Sequence, residues 1–104
     1  MATTYSFEPD NLIYGQFPIA RETGKAGEEI SRGDLVVNTD GTITKATSAT
    51  LANVSGIAAH QAITDIPVTY YATGEFFTSG VNLPEGVTEE AAKAALAKLN
   101  IYLK

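Results

Sequence analysis

The sequence predicts a mainly β (α+β) fold: one small domain with a single short helix near the C-terminus and an extended N-terminal arm. Short runs rich in β-branched and aromatic residues alternate with Gly, Pro, Asn and Asp clusters, which is typical of strands joined by turns. Residues 88–99 instead carry apolar side chains at helical spacing. At 104 residues the chain is sized for one domain, so we predict an arm over 1–16 and a domain over 17–104.

The arm begins with Thr4, Tyr5, Ser6 and Phe7, an alternation that predicts an extended strand. Pro9 would end that strand, because proline cannot donate to a ladder. A short apolar run follows before Gly15. The arm either folds back onto its own core or docks on another molecule. The residues that we expect to contact a partner in the second case are Thr4, Tyr5, Ser6, Phe7, Pro9, Asn11, Leu12, Ile13, Tyr14 and Phe17.

The first strands of the domain are predicted from residue 17 onward. A strand begins at 17–20, and residues 23–33 are polar and Gly-rich, so no strand is predicted there. Arg32 and Gly33 indicate a tight turn leading into a β-branched strand at 35–37. Asp40-Gly41 between two apolar runs is a strong hairpin signal, so residues 42–46 are predicted to form the next strand.

The second half is predicted to contain three more strands and the helix. After a polar loop at 47–53, strands follow at 54–59 and 66–72, with Gly56 allowing a close backbone approach. Thr73-Gly74 breaks the chain before a short strand at 75–78, and a last strand-like segment occupies 101–103.

The helix has clear start and stop signals. Thr88 is a good N-cap, and Glu89 and Glu90 lie in the first turn, where the helix dipole favours negative charge. Asn100 is a plausible C-terminal stop. The buried stripe is predicted to be narrow and consists of Ala92, Ala95, Leu96 and Leu99.

Composition and charge exclude several classes of protein. The absence of Cys excludes disulfides, thiolate metal sites and Cys nucleophiles. Seven Lys and Arg against 12 Asp and Glu give a net charge of −5, which repels phosphate backbones, so we expect no nucleic-acid partner. No run approaches the length of a membrane helix, and residues 1–5 lack the features of a signal peptide. We therefore expect no membrane partner and synthesis in a cytoplasm.

No constellation of residues points to catalysis. His60 is the one histidine, and we expect it to be a surface or hydrogen-bonded structural residue. Ser79 lacks the G-x-S-x-G elbow of a nucleophile. Asp34, Asn38 and Asp40 depart from the calcium-loop pattern, and the other carboxylates are scattered. We expect no enzyme activity, no catalytic residue, no cofactor and no metal site.

Several segments resemble one known family. These are YYATGEF at 70–76, the V-x-x-P-E pattern at 81–85 with the helix after it, the V-x-G-I pattern at 54–57, and EPDNLI-x-G-x-FP at 8–18 followed by SRG-x-L at 31–35. In this order and spacing they resemble the head decoration, or capsid-stabilising, proteins of tailed phages, typified by that of phage lambda. Leu83 stands where the lambda member has a tryptophan.

The resemblance implies a fold, an assembly and a partner. It implies a small β-clip-like domain that forms a homotrimer at threefold sites outside the expanded phage head. The partner would be the major capsid protein, and the bound trimer would stabilise the head against the pressure of packaged DNA. The resemblance also implies an arm that adds a strand to the capsid protein. The protein would be present in the host cytoplasm during assembly and then on the outer surface of the virion.

Two other classes of function are kept as alternatives. A virion-surface fibre or glycan-binding module would stack sugars on aromatic side chains, and the candidates are Tyr5, Tyr14, Tyr70, Tyr71 and Tyr102. A small β enzyme would have to use His60, because no other catalytic arrangement is present.

Overall fold

The computed structural model describes residues 19–104, so the predicted arm and residues 17–18 lie outside the described part. Residues 19–104 form seven strands, one α-helix and two single-turn 3-10 helices. The strands are β1 Arg21–Ala26, β2 Leu35–Thr39, β3 Thr42–Lys45, β4 Gly56–Ala58, β5 Pro67–Tyr71, β6 Gly74–Phe76 and β7 Ile101–Leu103; the helix is α1 Glu89–Ala97, and the 3-10 turns are Leu51–Asn53 and Thr78–Gly80.

Five strands close into a barrel. Their order is β1-β3-β2-β4-β5, and the barrel closes where β5 pairs with β1 in antiparallel fashion. The other neighbours are also antiparallel except β1 and β3, which run parallel. β6 and β7 form a separate parallel two-stranded sheet. The expectation of a small, mainly β domain with one helix is confirmed.

All five barrel strands contribute to a first core, which fills the barrel. Its buried residues are Ala26, Ile30, Val36, Ile43, Ala58, Ala62, Val68 and Tyr70. The barrel is narrow enough to require glycine at Gly56, because a Cβ there would lie 2.2 Å from the backbone oxygen of Tyr71. The close backbone approach predicted at Gly56 is therefore confirmed.

A second core lies between the outer face of the barrel and the C-terminal elements. Leu35 and Val37 of β2 point outward into it, while Val36 between them points into the barrel. β2 is therefore buried on both faces, which explains its uninterrupted apolar run. The buried members of the second core are Leu35, Val37, Ala46, Val54, Ile57, Tyr71, Phe76, Val81, Ala92, Leu96, Ile101 and Leu103.

The predicted turn and the predicted helix are both confirmed. Asp40 and Gly41 have φ angles of 52° and 91°, so the β2–β3 hairpin turns through two left-handed residues, as a type I′ turn requires. Thr88 Oγ1 accepts a hydrogen bond from the Ala91 N–H at 3.1 Å and caps the helix. Asn100 lies just beyond the helix with a φ of 64°, a conformation that asparagine tolerates.

The prediction was wrong for residues 23–26, which belong to β1. Gly24 and Ala26 face the barrel interior, where a Cβ at Gly24 would lie 2.7 Å from Ile43 Cδ1. On the outer face, the hydroxyls of Thr23 and Thr69 are hydrogen-bonded at 3.1 Å across the β1–β5 pair. Small residues inside and polar residues outside remove the hydrophobic alternation by which strands are recognised.

The buried carboxylate of Asp34 is hydrogen-bonded to the V-x-x-P-E segment, residues 81–85, and holds it against the barrel. Asp34 is 8% exposed, and it accepts a hydrogen bond from the Asn82 side-chain amide at 2.9 Å and another from the Ser31 N–H at 2.8 Å. The Asn82 N–H donates to the Gly33 oxygen at 2.9 Å, and Asp34 and Asn82 form an isolated parallel bridge. Within residues 19–104, every buried side-chain nitrogen and oxygen has a hydrogen-bond partner.

Replacing this carboxylate is expected to destabilise the domain. Asp34→Ala removes the acceptor of the Ser31 N–H and one of two acceptors of the Asn82 side-chain amide, which also donates to the Arg32 oxygen at 3.1 Å. We expect a loss of about 2–3 kcal/mol in the free energy of unfolding. Urea denaturation measures the change. The control Glu29→Ala removes an exposed carboxylate and should change stability by less than about 0.5 kcal/mol. Equal effects of the two substitutions would contradict a specific role for Asp34.

Candidate functional site

The junction between the arm and the domain is fixed by backbone and side-chain contacts. The Ala72 N–H donates to the Ala20 oxygen at 2.7 Å, and the Ala20 N–H donates to Thr73 Oγ1 at 2.9 Å. Ile19 packs against the second core. Residues 19–20, where the described chain begins, therefore lie beside the Thr73-Gly74 break and are held in place by contacts with the domain.

Gly74 makes room for this junction. Its φ is 142°, and a Cβ at this position would lie 3.1 Å from Ile19 Cγ1 and 2.8 Å from the Phe76 ring. Next to it, the ring centroids of Tyr71 and Phe76 are 5.2 Å apart, and the Arg21 guanidinium lies over the Tyr71 ring at 5.4 Å. Tyr71 and Phe76 of the YYATGEF segment therefore support the position of Ile19 from inside the second core.

The residues predicted to contact a partner are not among those that the structure describes. Thr4, Tyr5, Ser6, Phe7, Pro9, Asn11, Leu12, Ile13, Tyr14 and Phe17 all lie outside residues 19–104. Their role stays a prediction. Folding back onto the domain and docking on another molecule both stay open as alternatives for the arm.

His60 is a hydrogen-bonded structural residue, as expected. Its Nε2 accepts the Thr69 N–H at 3.1 Å, so Nδ1, which lies 3.0 Å from the Gln61 oxygen, carries the ring proton. Both ring nitrogens are engaged with the backbone. A histidine held in this way orders the β4–β5 connection and has no free nitrogen for proton transfer.

Among residues 19–104, the tyrosines proposed for sugar stacking do not form an exposed aromatic surface. Tyr70 and Tyr71 are only 5% and 6% exposed, because they face the first and the second core respectively. Tyr102 is half-buried, and its hydroxyl donates to Asn100 Oδ1 at 3.1 Å. Tyr5 and Tyr14 lie outside the described residues. Burial therefore removes Tyr70 and Tyr71 from the candidates for sugar stacking.

An open cleft of about 600 Å³ lies at one end of the barrel, beside the residues that surround Asp34. Leu83 and Pro84 are its main apolar wall, and Leu83 is 36% exposed. Its charged side chains are those of Glu28, Asp34, Lys45 and Glu85. Glu28 Oε2 accepts the Lys45 N–H at 2.8 Å, and Asp34 accepts from Asn82 and Ser31. We refer to this feature as the cleft.

A second surface projects from the same end of the barrel. The turn at residues 63–66 precedes β5 and exposes Ile63 and Ile66 by 60% and 46%. The Ile66 N–H donates to the Ile63 oxygen at 3.1 Å, and Asp65 has a φ of 74°. Lys25 and Asp65 lie 3.8 Å apart at its edge. We refer to this feature as the isoleucine turn.

The described part of the chain offers neither a metal site nor a membrane span. Among residues 19–104, His, Asp and Glu side chains form no group of three or more suited to holding a metal ion. No helix in that range is long and apolar enough to cross a membrane. Comparisons with known proteins add no relative: no protein-family model matches the chain, and no curated protein matches it.

Sequence reasoning missed the Asp34–Asn82 bond, the cleft and the isoleucine turn. The bond joins residues 48 positions apart, and the cleft is assembled from four separate segments. The isoleucine turn did leave a signal at Ile63, a large apolar residue between the strands predicted at 54–59 and 66–72. Apolar residues in a turn indicate either burial or contact with a partner.

The hydroxyl of Thr73 is expected to hold the base of the arm. Thr73→Val keeps the shape of the side chain and removes the acceptor for the Ala20 N–H. We expect hydrogen exchange at the Ala20 amide to become several-fold faster, corresponding to about 1 kcal/mol for one lost hydrogen bond. Thr73→Ser keeps the hydroxyl and should exchange like the original protein. Equal protection of Ala20 in both variants would contradict this anchor.

Proposed function

We propose that the chain is a non-enzymatic capsid decoration protein of a tailed phage. In this proposal a β-clip-like domain binds as a homotrimer at threefold sites outside the expanded head. Its partner is the major capsid protein, and the bound trimer reinforces the shell against internal DNA pressure. The protein is made in the host cytoplasm and ends on the outer surface of the virion.

The observation that carries the proposal is the anchored base of an aromatic arm. Ala20 is bonded to Ala72 and Thr73, and Ile19 packs on the second core. Residues 1–18 therefore start from a defined point on the domain. A chain of this length can span up to about 60 Å when extended, enough to reach a neighbouring molecule.

The arm sequence suits binding by strand addition. Main-chain hydrogen bonds supply affinity in this mode, and alternate side chains supply specificity. Tyr5 and Phe7 would lie on one face of the added strand, with Thr4 and Ser6 on the other. Three arms on one trimer would add avidity, because docking of the first raises the effective concentration of the others.

The chemistry of the domain supports a structural role. His60 is engaged on both ring nitrogens, and the described carboxylates form no metal-binding cluster. The net charge of −5 suits a position outside the shell, away from packaged DNA. The glycan-binding alternative is weaker, because Tyr70 and Tyr71 are core residues.

Removing the arm tip should abolish capsid binding without unfolding the domain. We expect a chain that lacks residues 1–7 to keep its thermal midpoint, because the described cores begin at Ile19. Its affinity for expanded capsids should fall at least about 100-fold, since both the strand and the avidity of three arms are lost. Co-sedimentation with expanded heads measures the affinity, with procapsids as the non-binding reference.

A matched pair of variants separates the two faces of the arm. Tyr5→Ala with Phe7→Ala should weaken co-sedimentation at least about tenfold, whereas Thr4→Ala with Ser6→Ala should have a much smaller effect.

Undiminished binding of the truncated chain would contradict the role of the arm. Specific hits on a glycan array, together with no capsid binding, would favour the glycan-binding alternative.

A further inference from the structure

Although the five strands close into a barrel, β1 has an open edge along its first four residues. β5 pairs with β1 from Arg21 to Lys25, whereas β3 pairs only with Lys25 and Ala26. β3 begins at Thr42, opposite Lys25, so no strand among residues 19–104 lies on that side of Arg21 to Gly24. An open strand edge presents backbone groups that can pair with a further strand.

The hydrogen bonds of β1 show which backbone groups this edge presents. The Ala26 N–H donates at 3.0 Å to the oxygen of the residue before β5, so even-numbered residues of β1 face β5. The Lys25 N–H donates to the Gly41 oxygen at 2.8 Å on the opposite side, so odd-numbered residues face β3. The N–H and C=O groups of Arg21 and Thr23 therefore point toward the open edge.

The segment that precedes β1 has the sequence of a hairpin partner. Gly15 followed by Gln16 suits the two central positions of a type II′ turn, of which the first requires a positive φ. A two-residue turn at this point pairs residues 8–14 with residues 17–23. The strand predicted to begin at residue 17 would then continue into β1, and residues 8–14 would lie along the open edge.

This register brings apolar side chains together on the outer face of the barrel. Tyr14 would lie opposite Phe17, and Leu12 would lie opposite Ile19. Ile19 already packs against the second core, and directly opposite side chains in antiparallel strands lie on the same face. The pairing would therefore extend the second core with three large apolar side chains from residues 12–17.

Charge favours the same register. Asp10 would lie opposite Arg21, which is exposed and lies 5.4 Å from the centroid of the Tyr71 ring. Stacking on a ring leaves the N–H groups at the rim of the guanidinium available to a carboxylate. A four-residue turn would shift the pairing by two residues and place Leu12 opposite Arg21. Apolar and charge matching therefore both select the two-residue turn.

The open edge and residues 8–14 also match in length. Lys25 is the next odd-numbered residue after Thr23, and its N–H is already bonded to Gly41, so an added ladder ends at Thr23. In this register the backbone of Pro9 faces away from β1, where a proline removes no ladder bond. A proline on the outer side also blocks the addition of another strand.

We propose that residues 8–14 fold back along the open edge of β1 in the unbound protein and form a hairpin through Gly15 and Gln16. A two-residue connection holds this segment beside the edge, whereas a second copy of a chain with net charge −5 is repelled at long range. The hairpin leaves residues 1–7 as the part of the arm that binds a partner. The inference goes beyond the proposed function and holds whether or not the chain binds a capsid.

Hydrogen exchange of the full chain tests the hairpin. The Arg21 and Thr23 amides should exchange at least about tenfold more slowly than in an unstructured peptide, because residues 8–14 supply their acceptors. Leu12→Pro removes an N–H that faces β1 and should abolish this protection. Ile13→Pro removes an N–H that faces away and should preserve it. The Ala26 amide, bonded within the barrel, should stay protected in every variant and reports an intact fold.

A disulfide tests the register, because the chain has no cysteine of its own. Asp10→Cys with Arg21→Cys places two thiols at directly opposite positions, about 5.5 Å apart between Cα atoms, and should form a disulfide within one chain. Asn11→Cys with Arg21→Cys is the matched control. Its two side chains point to opposite faces, so it should remain reduced under the same conditions.

Each contrary result has a definite meaning. Arg21 and Thr23 amides that exchange freely in the original protein would overturn the hairpin. Equal loss of protection in the two proline variants, or equal oxidation of the two cysteine pairs, would overturn the register. Disulfides between chains, or protection that rises with protein concentration, would assign the edge to a second copy and overturn the proposal. None of these measurements involves a capsid, so their outcome is independent of the proposed function.

Discussion

The two-sided burial of β2 and β4 is the constraint on which the rest of the structure depends. Val36 points into the barrel while Leu35 and Val37 point out, so the outer face of the barrel must be covered. The C-terminal block provides the cover with the helix and the β6–β7 sheet. Residues 74–103 therefore complete a core that the barrel leaves open.

That second core also fixes the positions of the arm's base and of the cleft wall. Ile19 joins it at the arm's base, and Val81 joins it directly before Asn82, whose bond to Asp34 positions the wall of the cleft. Packing therefore fixes the base of the arm and the cleft wall together. A rigid domain with a defined arm base is what a decoration protein needs to bind a regular lattice with several weak contacts at once.

Local signals in the sequence predicted local structure well. The Asp40-Gly41 turn, the Thr88 cap and the Thr73-Gly74 break each act through the conformation of neighbouring residues, so they can be recognised without knowledge of the fold. The parallel pairs β1–β3 and β6–β7 join distant segments and leave no such signal. β1 was partly missed because Gly24 and Ala26 are small where Ile43 fills the barrel. The cleft and the Asp34–Asn82 bond arise from the same long-range packing.

Cryo-electron microscopy of the parent virion tests whether this chain decorates the outside of an expanded phage head, as we propose. We expect trimeric density of one domain per subunit over the threefold positions of the mature shell, with an extended segment running from each domain onto the capsid protein. The same positions should be empty on procapsids. A mature head without density for this chain at those positions, in virions shown to contain it, would contradict the account.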